Sequence, residues 1–177
     1  MRDLVDRAGR GDHGAFDELA ARVGPDLYRL AVAVIGPDGA ADATQDALLR
    51  AWRELPALRD RDAFPAWTRR ILVNRCRDIV RAQRGVRVLS LDLAPAIADG
   101  ASVYVDHAPG VDRSTDLRRA VARLNVDQRA VVALHYQLDL PIRDVARTLS
   151  IPDGTAKSRL NAALAALRRS MEDPADA

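Results

Sequence analysis

The sequence has little cysteine, few aromatic residues and no long hydrophobic run. Its only cysteine, Cys76, excludes an internal disulfide and a cysteine-based metal cluster. Aromatic residues make up 4% of the chain, so a core must be built mainly from Leu, Val, Ile and Ala, which suits packed helices. No apolar run approaches the roughly 20 residues that cross a bilayer, and the N-terminus has no signal-peptide core. These absences predict a soluble, cytoplasmic protein without membrane insertion.

The residue types that catalysis needs are scattered along the chain. The three histidines, His13, His107 and His135, share no motif spacing, and no Gly-rich phosphate loop or nucleophile–base pair can be recognised. An enzyme is therefore the weakest of the alternatives. The sequence predicts no catalytic residue, metal, cofactor or small-molecule substrate.

The formal net charge is only +2, but positive and negative residues are concentrated in different segments of the chain. Residues 61–87 hold eight arginines against two aspartates, which gives +6, whereas residues 88–112 hold four aspartates and no basic residue, which gives −4. Residues 113–177 hold 11 basic and 8 acidic residues, which gives +3. Two basic segments in a nearly neutral chain indicate localised contact with a polyanion.

Apolar residues recur with helical spacing on both sides of a Pro- and Gly-containing acidic segment. The pattern predicts an all-α fold of two small helical domains joined by a flexible linker. The expected boundaries are a first domain over 1–85, a linker over 86–113, a second domain over 114–171 and a disordered tail over 172–177.

Individual helices follow from cap and turn residues. In the first domain we expect helices from the Asp12 cap to Gly36, over 40–55 and over 62–84. In the second domain we expect a short helix around 117–124, one capped by Asp127, one beginning at Pro141 and a last one over 155–171.

The last two helices have the form of a helix-turn-helix, in which the second helix enters the major groove of DNA. Lys157, Ser158 and Asn161 fall on the outer arc of the last helix, where a recognition helix meets base edges. Thr155 lies at its start, where free backbone amides favour a phosphate, and Arg159 lies on its flank. A solvated amphipathic helix is the alternative. DNA binding is favoured because no acidic residue occurs over 154–171.

Residues 144–160 carry the pattern D-V-A…L-S-I-P-D-G-T-A-K-S-R-L, which resembles region 4 of sigma-70-type transcription initiation factors. The resemblance implies recognition of the −35 promoter element and contact with the flap of the polymerase β subunit. The chain departs from the family after Leu160, where Asn161-Ala162-Ala163 replaces positions that often carry arginine.

Residues 42–53, with the pattern D-A-T-Q-D-A-L-L-R-A-W-R, resemble the core of sigma region 2. The resemblance implies that this helix docks on the clamp helices of the polymerase β′ subunit. The face is a mixture of polar and apolar side chains, which suits a protein partner. The residues expected to bind core polymerase are Asp42, Gln45, Asp46, Leu49, Arg50 and Arg53.

Residues 64–78, with the pattern F-P-A-W-T-R-R-I-L-V-N-R-C-R-D, resemble the part of region 2 that reads and melts the −10 element. Arginines can neutralise phosphates, and a polar amide can hold an extruded base. Trp67 and Cys76 are expected to be core residues. The residues expected to bind the −10 DNA are Arg61, Arg70, Asn74, Arg77, Asp78, Arg81 and Arg84.

One region 2 motif followed by one region 4 motif is similar to the extracytoplasmic-function (ECF) group of sigma factors. The resemblance implies core RNA polymerase and promoter DNA as partners. An anti-sigma factor is common in that group, although no residue here identifies one. Two further alternatives are a stand-alone helix-turn-helix regulator with a helical sensor lobe and a sigma-like protein that has lost activity.

Overall fold

The computed structural model of the protein describes residues 1–90 and 113–172, with side chains described over 1–83 and 117–171. Within these ranges every regular element is helical, and the predicted all-α fold is confirmed. Most of the predicted linker (91–112) and the end of the predicted tail (173–177) lie outside the described residues.

Four helices form the first lobe: α1 (Arg2–Gly9), α2 (His13–Ile35), α3 (Pro37–Glu54) and α4 (Phe64–Ser90). Helix α2 begins as predicted, because the Asp12 carboxylate accepts a hydrogen bond from the backbone N–H of Ala15 at 3.0 Å. It ends at Gly36, where φ is +88°, a value that glycine adopts without a steric penalty. The short 3₁₀ turns Leu55–Ala57 and Arg61–Ala63 connect α3 to α4.

The first lobe differs from prediction by one additional helix and two shifted helix ends. Helix α1 was not predicted, because its charges mask a short buried face of Leu4, Val5 and Ala8. Helix α3 begins three residues early, since proline at position 37 suits a first helical turn. Helix α4 continues past its predicted end at residue 84 to Ser90, so the backbone of 86–90 is helical rather than part of a linker.

The core of the first lobe is mainly aliphatic. Leu19, Leu27 and Leu30 of α2 lie fully buried with Leu72 of α4. The ring of Trp52, partly buried on α3, lies 4.9 Å from that of Phe16 and 4.7 Å from that of His13. This packing fixes which faces of α3 and α4 point outward.

The second lobe contains α5 (Arg113–Arg123), α6 (Val126–Val132), a π-helical turn (Ala133–Gln137), α7 (Ile142–Leu149) and α8 (Asp153–Glu172). Helices α7 and α8 form the predicted helix-turn-helix. Ser150, in the left-handed region with φ +54°, ends α7. Helix α8 begins two residues before its predicted start at Thr155.

The predicted cap of α6 is wrong. Asn125, not Asp127, caps the helix, because its side chain accepts from the Gln128 N–H at 2.9 Å while the Gln128 side chain accepts from the Asn125 N–H at 3.1 Å. Asp127 lies two residues further on, in the first turn of α6, and its carboxylate is left for a tertiary contact.

The two lobes pack against each other, a contact that the sequence did not predict. One continuous apolar cluster includes Leu72 and Cys76 of α4 together with Val131, Leu134 and Val145 of the second lobe. Helix α4 contacts α6 and α7, and α2 contacts α6. The helix-turn-helix therefore lies on the arginine-rich helix of the first lobe.

Candidate polymerase and nucleic-acid interfaces

The outer face of α3 presents every residue predicted to bind core polymerase. Positions 40, 43, 44, 47 and 51 turn inward and are buried, so the intervening positions point to solvent. Leu49 is 48% exposed, an apolar side chain surrounded by polar ones. The exposed set is Asp42, Gln45, Asp46, Leu49, Arg50 and Arg53.

Two ion pairs organise this predicted polymerase-binding surface. Arg50 Nε lies 2.7 Å from Glu54 Oε1 on the same helix. Asp46 Oδ2 lies 2.8 Å from the guanidinium of Arg75 on α4. The second pair joins α3 to α4, so the predicted polymerase-facing and −10 surfaces adjoin.

Helix α4 presents a second polar surface. Leu72, Cys76 and Val80 are buried, whereas Asn74 and Asp78 are exposed. Arg70 and Arg81 are also exposed, and Arg77 is partly exposed. Arg81 Nη1 donates to Asp78 Oδ1 at 3.2 Å, and Arg77 Nη1 donates to Asn74 Oδ1 at 2.8 Å. The side chain of the remaining predicted residue on this helix, Arg84, lies outside the described residues.

Arg61 does not belong to this surface. Its guanidinium is turned into the first lobe, where Nε lies 3.1 Å from Asp6 Oδ1 and Nη1 donates to the carbonyls of Leu55, at 3.1 Å, and Leu58. It therefore fastens α1 to the turn after α3. The sequence placed Arg61 among the −10 DNA contacts, because sequence distance alone does not show that α1 folds back against this loop.

Trp67 and Cys76 occupy the core positions expected of them. Trp67 is partly buried, with its ring centroid 6.1 Å from that of Phe64. Burial raises the pKa of the Cys76 thiol to about 12. The thiol therefore stays protonated and acts as a small apolar side chain.

Helix α8 carries the third surface. Ala156, Ala163 and Leu167 are buried, whereas Lys157, Ser158 and Asn161 are exposed together on the opposite side. Alanine at position 163 departs from the family pattern, but this position is fully buried. The departure therefore removes no side chain from the solvent-facing side of α8.

Two other predicted residues of α8 are less accessible. Thr155 is partly buried in the first turn, and its carbonyl accepts from the Ser158 hydroxyl at 3.0 Å. The Arg159 side chain is 31% exposed and lies against α6, with Nη1 3.5 Å from Asp127 Oδ2.

Nothing in the sequence indicated that Asp127 makes tertiary contacts. Its Oδ1 accepts from Arg77 Nε at 2.7 Å, while its Oδ2 faces Arg159. In addition, Arg70 Nη1 donates to the Ser150 hydroxyl in the helix-turn-helix turn at 3.0 Å. No local pattern could have revealed these contacts, since 50 residues separate Asp127 from Arg77 and 80 separate Ser150 from Arg70.

In the part of the chain that the structure describes, no helix is long and apolar enough to cross a membrane. Within the same residues, no group of three or more His, Cys, Asp or Glu side chains could hold a metal ion.

Comparison with protein families gives two matches. Residues 19–86 match the Sigma-70 region 2 family and residues 114–167 match the Sigma-70 region 4 family. An ECF RNA polymerase sigma factor of Mycobacterium tuberculosis, SigM, is 36% identical over 160 residues, which cover 90% of this chain and 78% of the relative. The ECF RNA polymerase sigma-E factor of Escherichia coli strain K12 is 30% identical over 166 residues, which cover 89% of this chain and 86% of the relative.

Solved structures agree. The sigma factor RpoE of Bartonella quintana, in complex with the anti-sigma factor NepR, matches with a TM-score of 0.68 and 26% identity over 90% of this chain and 98% of that one. CnrH, in complex with the cytosolic domain of CnrY, matches with a TM-score of 0.68 and 25% identity over 99% and 98%. The two matched regions, in the order that the sequence motifs predicted, and the ECF relatives show that this chain belongs to the ECF group of sigma-70 RNA polymerase sigma factors.

Proposed function

We propose that the chain binds core RNA polymerase and directs it to promoters through three surfaces. The outer face of α3 docks on the β′ clamp helices, the polar face of α4 engages the −10 element, and α8 reads the −35 element. The observation that carries this proposal is the match to both sigma regions, with the motif residues of α3 exposed to solvent.

The α3 surface suits a protein partner. Leu49 offers an apolar contact at the centre of a ring of charges, which resembles the apolar core and polar rim of protein interfaces. Asp42, Gln45 and Asp46 lie one to two turns before it and can pair with basic or amide groups of the polymerase. Arg50 and Arg53 lie on its other side.

The α4 surface suits a melted DNA strand. Arg70, Arg77 and Arg81 can neutralise phosphates, and each such contact releases condensed counterions. Asn74 offers an exposed amide, which can donate to and accept from the edge of an extruded base. Asp78 pairs with Arg81 and holds that arginine on the same face.

The α8 surface suits the major groove. Lys157, Ser158 and Asn161 are the side chains available to base edges, and Thr155 contributes a backbone amide in the first turn of the helix. The −10 and −35 contacts are weak alone and cooperate because one polymerase presents both, which raises their effective concentration.

The same proposal names the remaining partners. The second lobe contacts the β flap, and the protein acts in the cytoplasm, where polymerase and promoters meet. The protein has no catalytic activity of its own and needs no cofactor. An anti-sigma factor is a further expected partner, because the matched RpoE structure is a complex with an anti-sigma factor.

In vitro transcription tests the proposal. Purified chain is added to core polymerase on a library of genomic promoter fragments, and the 5′ ends of the transcripts are mapped. We expect new start sites that core polymerase alone does not use. If no complex with core polymerase forms while the chain still binds a specific duplex by itself, the stand-alone regulator is the correct interpretation instead.

A further inference from the structure

One ion pair connects the proposed polymerase surface to the proposed −10 surface. Asp46 of α3 is one of the six residues proposed to bind polymerase, and its Oδ2 accepts from Nε of Arg75 on α4 at 2.8 Å. Arg75 Nη2 lies 2.8 Å from the same oxygen. Arg75 therefore holds a carboxylate that the proposed function assigns to another partner.

Arg75 lies at the edge of the −10 surface, although it is not among the residues proposed to contact DNA. It follows Asn74 directly and precedes Asp78 by three residues, a spacing that makes side chains neighbours on a helix. The Asp78 carboxylate already accepts from Arg81 at 3.2 Å. An Arg75 side chain released from Asp46 therefore lies within the surface proposed to engage promoter DNA.

The ion pair is not needed to hold α3 and α4 together. The two helices share a core in which Ala47 of α3 is buried with Leu72 and Val73 of α4. The Arg75 and Asp46 side chains are 43% and 46% exposed, and ion pairs at that exposure contribute little to stability because water and salt screen them. The pair can therefore open with a small loss of free energy.

Each member of the pair has an alternative partner in the initiation complex. A guanidinium binds phosphate in the same bidentate manner as carboxylate, and a contact with DNA phosphate also releases condensed counterions. The Asp46 carboxylate can accept from a basic or amide group of the polymerase, as proposed for the α3 surface. Both side chains therefore keep a hydrogen-bonding partner when the pair opens.

We propose that Asp46 and Arg75 exchange partners during initiation. A basic or amide group of core polymerase takes Asp46, and the released Arg75 binds a phosphate of promoter DNA at the edge of the −10 surface. The inference rests on the proposed roles of α3 and α4, and it adds a DNA contact that depends on polymerase docking. By linkage, polymerase and DNA each favour binding of the other by up to about fivefold, the largest effect expected of a partly exposed ion pair.

The test compares Arg75→Gln with Arg22→Gln as a matched control. Arg22 pairs with Glu18 on α2, outside the three proposed surfaces, and these side chains are 48% and 51% exposed. Both substitutions remove one arginine from an ion pair of similar exposure, so they change the net charge equally. A third variant, Arg75→Lys, keeps the charge at position 75.

Binding of each protein to core polymerase is titrated first. Arg75→Gln should bind about two- to fivefold more tightly than wild type, because Asp46 no longer has to leave an intramolecular partner. In an Asp46→Asn background the same substitution should no longer change the affinity, whereas a general effect of charge would remain. Arg22→Gln should bind like wild type.

Binding of holoenzyme to a labelled promoter duplex, identified by the transcription assay, is then measured over a range of salt concentrations. With Arg75→Gln the affinity should fall, and the slope of log K against log salt should be smaller in magnitude by about one, as expected for the loss of one phosphate contact. Arg75→Lys should keep the wild-type slope, because lysine also neutralises a phosphate. Arg22→Gln should keep it as well.

Opposite effects of Arg75→Gln on the two binding steps support the exchange. Weaker binding in both steps would show that the pair only fastens α3 to α4, and it would overturn the exchange. A change in one step alone, or in neither, would overturn it too. A wild-type chain that forms no holoenzyme, or a wild-type holoenzyme that binds no promoter, rejects the proposed function and the exchange with it.

Discussion

Replacing Arg61 by alanine should destabilise the first lobe rather than weaken promoter contact alone. The side chain is 23% exposed and fastens α1 to the loop between α3 and α4 through Asp6 and two backbone carbonyls. Hydrogen bonds from charged groups contribute about 1.5–3 kcal/mol each, but an exposed partner such as Asp6 adds little. Because one nitrogen, Nη1, is shared between the two carbonyls and the side chain is partly exposed, we count them as about one such bond and expect a loss of about 2 kcal/mol in the free energy of unfolding.

For a chain of this size, 1 kcal/mol corresponds to about 2–4 °C in melting temperature, so the expected decrease is about 4–8 °C. The measurement is thermal unfolding followed by circular dichroism at 222 nm. The matched control is Arg59→Ala, two residues earlier in the same loop, which removes the same charge from an exposed side chain and should change the melting temperature by less than about 2 °C. An Arg61→Ala protein with unchanged melting temperature but impaired promoter opening would refute the structural role and restore the DNA-binding role predicted from sequence.

Three further predictions address the surfaces and the core. Asn74→Ala should impair open-complex formation at least tenfold more than polymerase binding, because it removes the exposed amide proposed to hold a base and leaves the α3 face intact. Permanganate footprinting measures open-complex formation, and equal losses in the two assays would contradict the assignment. Leu49→Asp should weaken binding to core polymerase by about 30-fold or more in a titration, as expected for a central apolar contact, while Tyr28→Asp, a comparably exposed apolar position on α2, should bind normally. Cys76 should resist alkylation at pH 8 in the folded protein, because burial raises its pKa to about 12. Since the ordinary pKa is 9.0, the neutral buried thiol contributes stability that is present below pH 9 and is lost as the pH rises toward 12. Urea unfolding at pH 8 and pH 10 would measure this loss of stability.

Much of the first lobe could be predicted from local signals. The Asp12 cap and the Gly36 turn defined α2 to within a residue, because each acts through the backbone of its immediate neighbours. The outward residues of α3 were expected from the region 2 motif, and the inward positions of α8 followed from helical spacing. Asp127 was misassigned because Asn125, two residues earlier, is an equally good cap by sequence, and only the Gln128 partner decides between them.

Contacts between distant residues were beyond such reasoning. Arg61 and Arg77 are both arginines of the same basic segment, and nothing nearby distinguishes them. One turns inward to Asp6, 55 residues away, and the other reaches Asp127, 50 residues away.

By itself the sequence determined most of the helices, their buried faces, the family and the motif residues, because caps, turns and 3.6-residue spacing act between neighbours. Only the tertiary structure decided which arginines remain available to DNA and that the two lobes share one core. Those outcomes depend on which distant surfaces meet. Burial and charge pairing across such a contact cannot be predicted from the order of neighbouring residues.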